Sequence, residues 1–322
     1  MIERNVTAPR PTLGSRITTN RWWVYQRERF PLATHGPLIA VFACSTVSFS
    51  LLARGVVRVP PVPALVVAVL SAFGFFLQMR IADEFKDAAD DARYRPYRPV
   101  PRGLVTLREL GHIALVAALV QAALALWLAP RLLPLLLLVW GYLALMTKEF
   151  FVPRWLRAHP ITYMWSHMLI LPLIDLYATA CDWRAVGVAA PAGLAALLAV
   201  SFCNGFNLEI GRKIRAPGDE EPGVETYSAL WGRSRASAAW CGVLLATAAC
   251  ALLAAAAIHF IAPVAAVIAA LLLAAGIVAA RYLLRPLTAR AKAVELTAGI
   301  WTLLLYLSLG AVPLLARLVW GV

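Results

Sequence analysis

Residues 62–91 read VPALVVAVLSAFGFFLQMRIADEFKDAADD, a stretch of about twenty mostly apolar residues that runs into a knot of carboxylates. Wound as a helix at about 1.5 Å per residue, 62–82 matches the hydrocarbon core of a bilayer. Its Leu, Ala and Val lack the strict alternation of a barrel strand. Eight further stretches share this character, at roughly 31–53, 104–129, 131–150, 161–181, 186–210, 236–258, 260–284 and 294–317. The whole chain agrees: 61% of its residues are hydrophobic, 15% are charged and mean hydropathy is +0.73, far from a soluble domain of 322 residues. The expected fold is all-α and integral to the membrane, a bundle of nine transmembrane helices.

Charge gives the orientation. With a cytoplasmic N-terminus, 25 of the 30 Lys and Arg fall on the cytoplasmic side, and only Arg54, Arg58, Arg131, Arg184 and Arg317 fall opposite. Residues 1–30 carry six arginines and no apolar core, so they read as a cytoplasmic arm with Trp22, Trp23 and Tyr25 suited to the interface, not as a cleaved signal. Residues 31–322 form a single transmembrane domain. The net charge of +13 follows the membrane topology, which excludes nucleic acid as a partner and favours anionic lipid headgroups and a phosphorylated substrate. The five cysteines lack a CxxC pair and suggest neither zinc nor disulfides.

Two acidic clusters fall on the basic face. In the first, Asp83, Asp87 and Asp91 recur every four residues and Glu84 precedes Asp87 by three, so on a continuous helix the four carboxylates share a face. Such carboxylates repel one another unless a cation such as Mg²⁺ neutralises them. The following loop, Arg93-Tyr94-Arg95-Pro96-Tyr97-Arg98-Pro99-Val100-Pro101-Arg102-Gly103, offers planar guanidinium donors on a proline-stiffened backbone, as phosphate binding needs. The second cluster follows the sixth span: Glu209, then Arg212, Lys213 and Arg215, then Asp219, Glu220 and Glu221. Two such sites can clamp one diphosphate between two metals.

These motifs resemble those of the UbiA-type intramembrane prenyltransferases, a superfamily of nine-helix enzymes. Asp83-Glu84-x-x-Asp87-x-x-x-Asp91 occupies the frame of the family's NDxxDxxxD motif, and Arg98-Pro99-Val100-Pro101-Arg102-Gly103 is similar to its RPxxxG loop. Asp219, Gly223, Thr226 and Gly232 match the second motif's DxxxGxxT segment and its later Gly, and Lys148 after Tyr142 resembles the basic position that ends the fourth helix. One departure stands out: Arg215 replaces the Asp expected four residues before Asp219, and Glu209 or Glu220 would supply that carboxylate.

The resemblance implies Mg²⁺-dependent transfer of an isoprenoid group from a prenyl diphosphate to an aromatic or other lipophilic acceptor, with release of pyrophosphate. It implies two Mg²⁺ ions on Asp83, Glu84, Asp87, Asp91, Glu209, Asp219 and Glu220, with the diphosphate held by Arg98, Arg102, Lys148, Arg212 and Lys213. It also implies a central apolar chamber that excludes water from the cation, bordered by aromatic faces such as Tyr163, Trp165 and Tyr177. Asp175, Asn204 and Asn207 are polar residues within spans, suited to an acceptor or to the chamber wall. His167 reads as a packed residue. The expected location is a bacterial cell membrane, multi-pass, with the active-site loops cytoplasmic. Two other functions fit the same features: a terpene cyclase of the same fold that needs no acceptor, and a membrane transporter or lipid-binding protein without chemistry. Carboxylates gathered at one face, not at mid-membrane, favour the enzyme.

Overall fold

The protein, described by a computed structural model over residues 20–321, is helical wherever it has regular structure. A short α1 (Arg21–Arg29) precedes the bundle. The long helices are α2 (Leu32–Ala53), α3 (Val62–Lys86), α5 (Leu107–Leu128), α6 (Leu133–Thr147), α9 (Ile170–Trp183), α10 (Leu194–Arg212), α12 (Arg233–Ala257), α13 (Ile261–Leu284) and α14 (Thr288–Leu309). Between them lie α4 (Ala88–Tyr94), α7 (Pro153–Ala158), α8 (Pro160–Met168) and α11 (Tyr227–Leu230), and α15 (Ala311–Trp320) closes the chain. Among the described residues, nine segments are long and apolar enough to cross a membrane, and each coincides with a stretch expected from sequence.

Large apolar side chains such as Leu119, Trp127, Leu137 and Leu273 stay exposed on the outer helix faces. In water such a surface would drive aggregation; in a bilayer it meets lipid. Inside, α2, α3, α6 and α9 share one apolar core and α10, α12, α13 and α14 another. Polar pairs tie the helices where hydrocarbon offers no partner. Asp175 accepts from Thr46 at 2.7 Å and Tyr306 at 3.4 Å. Asn207 donates to the Ala298 carbonyl at 3.1 Å and accepts from Trp240 at 2.8 Å, while Thr302 donates to Asn204 at 3.1 Å.

The ends of the bundle differ in charge as expected. On the sparsely charged end Arg54 holds Asp182 at 2.8 Å, Arg184 donates to the Arg131 carbonyl at 2.6 Å, and Arg317 reaches the Ile258 carbonyl. On the opposite end Arg102 reaches Glu28, Tyr97 reaches Glu221, Thr288 reaches Asp219 and Tyr282 reaches the Arg215 carbonyl. Both acidic clusters therefore lie at one end. Of the N-terminal arm, residues 1–19, including Arg4, Arg10 and Arg16, lie outside the described residues. Its last part is α1, started by the Asn20 side chain accepting from Trp22 and docked with Tyr25 buried beside Ile81 and Leu110.

Between α14 and α15 the last span bends at Gly310. A Cβ there would stand 2.0 Å from the Ser45 carbonyl oxygen on α2, a backbone atom that has no rotamer to escape into. Gly310→Ala is expected to cost about 1–3 kcal/mol by overpacking. A lowered unfolding temperature in detergent checks this, whereas an unchanged midpoint would show that α15 simply swings aside.

Candidate active site

The first acidic motif does not lie on one unbroken helix. At Asp87 the backbone turns to φ −90°, ψ 3°, ending α3 and starting α4 afresh. The kink keeps the helical hydrogen bonds from Asp87 N–H to the Asp83 carbonyl and from Asp91 N–H to the Asp87 carbonyl, and the four carboxylates have different surroundings. Asp83, about a third exposed, has Arg80 and Lys86 each 3.6 Å away. Glu84 is buried and takes a charged hydrogen bond from Arg29 of α1, with Arg80 at 3.6 Å. Asp91 is buried and gripped by Arg95 at 3.0 Å and Arg98 at 2.6 Å. Asp87 makes no ion pair among the described residues. Burial raises its pKa above the usual carboxylate value, Lys86 opposes that shift, and the charges of Asp83 and Asp91 add to it.

Facing this motif is the C-terminal end of α10. There Glu209 accepts from Arg212 at 2.8 Å and pairs with Lys213 at 2.9 Å. Arg212 is half exposed, so its guanidinium has an open side for a further anion. α8 packs against α10 and is tied to the end of α3 through Lys86, so the ends of these three helices lie together. Lys86 bridges them: its Nζ donates to the Tyr163 hydroxyl at 2.7 Å and lies 5.4 Å from the centre of that ring. Tyr163 stacks on His167 with centroids 4.0 Å apart. Tyr227 of α11 completes the rim with Lys213 over its ring at 5.5 Å, and burial, then Glu209, pushes its phenol well above the ordinary range.

Within the stack, His167 Nδ1 lies 2.8 Å from the Tyr163 carbonyl oxygen and must therefore donate, leaving the lone pair on Nε2. Nε2 is buried without a hydrogen-bond partner among the described residues. Phe150 packs edge-on against the same ring at 6.1 Å. It is held there by an unusual turn, since Glu149, Phe150 and Phe151 follow α6 with φ of 46°, 52° and 63°. Three consecutive non-glycine residues in the left-handed region carry strain of about 1–3 kcal/mol each, the kind that gathers at functional sites.

The other anticipated site residues are placed elsewhere. Asp219 and Glu220 line a separate cavity of about 330 Å³ with Arg215, Lys292 and Glu295. There Glu220 accepts from Thr226 at 2.6 Å and Ser228 at 2.7 Å, which fixes the acidic loop locally. Gly223 lets that loop meet the first motif's loop: its φ is +76°, and a Cβ would stand 2.6 Å from the Tyr94 ring. Arg102 is occupied by the Tyr97 carbonyl and Glu28, and Lys148 is exposed at the end of α6. Asn204, Asn207 and Asp175 face other helices in closed hydrogen-bond sets. Lys86, Arg80 and Arg29 were not anticipated. Lys86 stands inside the acidic cluster itself, whereas Arg29 is one of six arginines in the arm and nothing in its immediate sequence distinguishes it.

For a divalent cation, the pair Asp83 and Asp87 is the suitable place. One carboxylate is unpaired and penalised by burial, the other is only loosely paired, and Mg²⁺ is commonly bound by one or two carboxylates together with phosphate oxygens. Among the described residues no three His, Cys, Asp or Glu side chains converge as a ready-made cage, so phosphate oxygens would have to complete the shell.

The comparisons with known proteins agree with this architecture. The apo structure of a UbiA homolog from Aeropyrum pernix K1 superposes with TM-score 0.66 at 17% identity, covering 88% of this chain and 98% of that one. A structure described as that of digeranylgeranylglyceryl phosphate synthase in membranes gives TM-score 0.55 at 14% identity, covering 91% and 99%. At such identities the likeness is one of fold. No curated protein matches the sequence. The profile of the UbiA prenyltransferase family matches residues 38–304, most of the bundle and both acidic motifs. The chain therefore belongs to the UbiA prenyltransferase family.

Proposed function

We propose that this protein transfers an isoprenoid group from a prenyl diphosphate to a lipophilic acceptor within the membrane. The observation that carries the reading is that Asp83, Lys86 and Asp87 at the end of α3 and Glu209, Arg212 and Lys213 at the end of α10 form two charged clusters at the same end of the apolar bundle. A diphosphate needs cations, and a carbocation needs a dry, apolar enclosure. Both are at hand.

A divalent ion held by Asp83 and Asp87 would act as a Lewis acid on the departing pyrophosphate. Lys86, Arg212 and Lys213 stabilise the charge that grows on the diphosphate as the allylic C–O bond breaks and its electron pair moves to oxygen. Lys86 also keeps the Tyr163 ring beside the reacting carbon, where its face stabilises positive charge. The acceptor's nucleophile forms the new bond to the allylic carbon, and its proton goes to His167 Nε2, whose lone pair is free. Arg98, Arg102 and Lys148 act at longer range, because the first two are neutralised by Asp91 and Glu28.

The reading is tested by incubating purified protein with geranyl, farnesyl or geranylgeranyl diphosphate and Mg²⁺, with and without aromatic and lipid-alcohol acceptors. Pyrophosphate release that needs an acceptor and yields an adduct by mass spectrometry is the expected result. Acceptor-independent hydrocarbon would make the protein a cyclase, and no release from folded protein would overturn the enzyme reading. His167→Gln is expected to lower kcat by about 10²-fold, the low end for a positioned base, with KM for the prenyl diphosphate unchanged. An unaltered kcat would return His167 to packing.

A further inference from the structure

The guanidinium of Arg29 sits between the first and last carboxylates of the acidic stretch Glu84–Asp91. Its Nε donates to Glu84, and its Nη2 lies 3.9 Å from the nearer Asp91 oxygen. The Arg29 side chain is 9% exposed, and Nη2 is buried with no hydrogen-bond partner among the described residues. A buried guanidinium nitrogen without an acceptor is costly, and Asp91, its nearest anion, is beyond hydrogen-bond reach. Around the same two carboxylates stand Arg80 at 3.6 Å, Arg95 at 3.0 Å and Arg98 at 2.6 Å. Two negative charges thus face four positive ones, so a divalent cation brought here would be repelled. At Asp83 and Asp87 the charges are even, with Arg80 and Lys86 each 3.6 Å from Asp83 and no ion pair on Asp87 among the described residues, so a divalent ion meets less repulsion there.

We propose that Arg29 is a resident cation standing in for one of two metal ions, so that this site binds its diphosphate with a single divalent ion at Asp83 and Asp87. The proposal rests on the prenyl-diphosphate reading above. Arg29 Nη2 supplies the diphosphate with the donor that a second ion's charge would otherwise provide. A guanidinium suits this role because it is always charged and presents several donors in one plane. Its position is fixed by the rest of α1: Arg21 pairs with Glu109 at 2.7 Å, Glu28 with Arg102 at 3.0 Å, and Tyr25 is buried against the bundle. Burial, and secondarily Glu84, raises the Tyr25 phenol to about 12, so it stays neutral beside the pair.

The test is a count of Mn²⁺ bound to the purified full chain in nanodiscs, by electron paramagnetic resonance and calorimetry, with Mn²⁺ alone and with farnesyl thiodiphosphate. Wild type is expected to bind one ion per chain with the thiodiphosphate present. Arg29→Ala, which still leaves Arg80, Arg95 and Arg98 against Glu84 and Asp91, is expected to keep one ion and to hold the thiodiphosphate at least tenfold more weakly. Two ions on wild type would overturn the role of Arg29 while leaving the prenyl-diphosphate reading intact, and an unchanged hold by Arg29→Ala would reduce Arg29 to a structural pair. Failure to bind the thiodiphosphate at any Mn²⁺ concentration would sink both. If Arg29→Ala does not fold, the wild-type count and the hold of Arg29→Gln on the thiodiphosphate decide the matter.

Discussion

Asp87→Asn is expected to abolish turnover, by roughly 10³-fold or more, without loosening the fold. The activity loss follows from removing the one carboxylate of the first motif with no protein cation paired to it, and with it several kcal/mol of charge stabilisation by a bound ion. Stability should move the other way. Burial holds the folded pKa of Asp87 above its ordinary 3.8, so the folded chain binds this proton more tightly than the unfolded chain does. That preference stabilises the fold at low pH and is lost as pH rises through the folded value. At neutral pH, without metal, the ionised carboxylate is therefore a net cost, which the neutral Asn removes. Melting curves in EDTA from pH 4 to 8 should show Asp87→Asn at least as stable as wild type near neutrality, with its advantage shrinking toward pH 4. A variant that melts well below wild type at pH 7 would mean that Asp87 has a structural partner and that its activity loss says nothing of catalysis.

How much of this was legible in the sequence depends on how far apart the cooperating residues lie. The nine spans could be read because hydrophobic length is a local property, and the two ends of the bundle differ in charge because only Arg54, Arg58, Arg131, Arg184 and Arg317 fall at one of them. The acidic motif could be located but not resolved. Nothing in Asp83-Glu84-Phe85-Lys86-Asp87 announces the kink at Asp87, since the stretch holds neither glycine nor proline. Asn204 and Asn207 show the opposite failure. Their spacing suggests a polar face toward substrate, yet Trp240, Thr302 and the Ala298 carbonyl, between 33 and 98 residues away, satisfy them. A single sequence gives no sign of partners at such separations. Arg29 belongs to the same class, 55 residues from the carboxylate it neutralises.

Lys86→Met is expected to lower kcat by about 10²- to 10³-fold, the range found when one preorganised donor to developing charge is removed. Methionine keeps the length and flexibility of the stem, so packing against α8 is largely preserved. What disappears is the charge nearest Asp83 and the donor to Tyr163. These two roles can be separated. Lys86→Arg retains the charge but replaces a compact ammonium with a planar fork, so if charge toward the diphosphate dominates it should recover most of the lost kcat. Tyr163→Phe retains the ring over His167 and removes only the hydroxyl, so any loss it causes measures the hydrogen bond. If Lys86 acts chiefly by holding Tyr163, the double variant Lys86→Met with Tyr163→Phe should be no worse than Lys86→Met alone, a coupling that a double-mutant cycle reads directly. If instead the losses multiply, Lys86 and Tyr163 act independently, the lysine on the leaving diphosphate and the ring on the carbon it leaves behind. Full activity in Lys86→Met would remove this end of α3 from the chemistry and shift the diphosphate's cations to Arg212 and Lys213 alone.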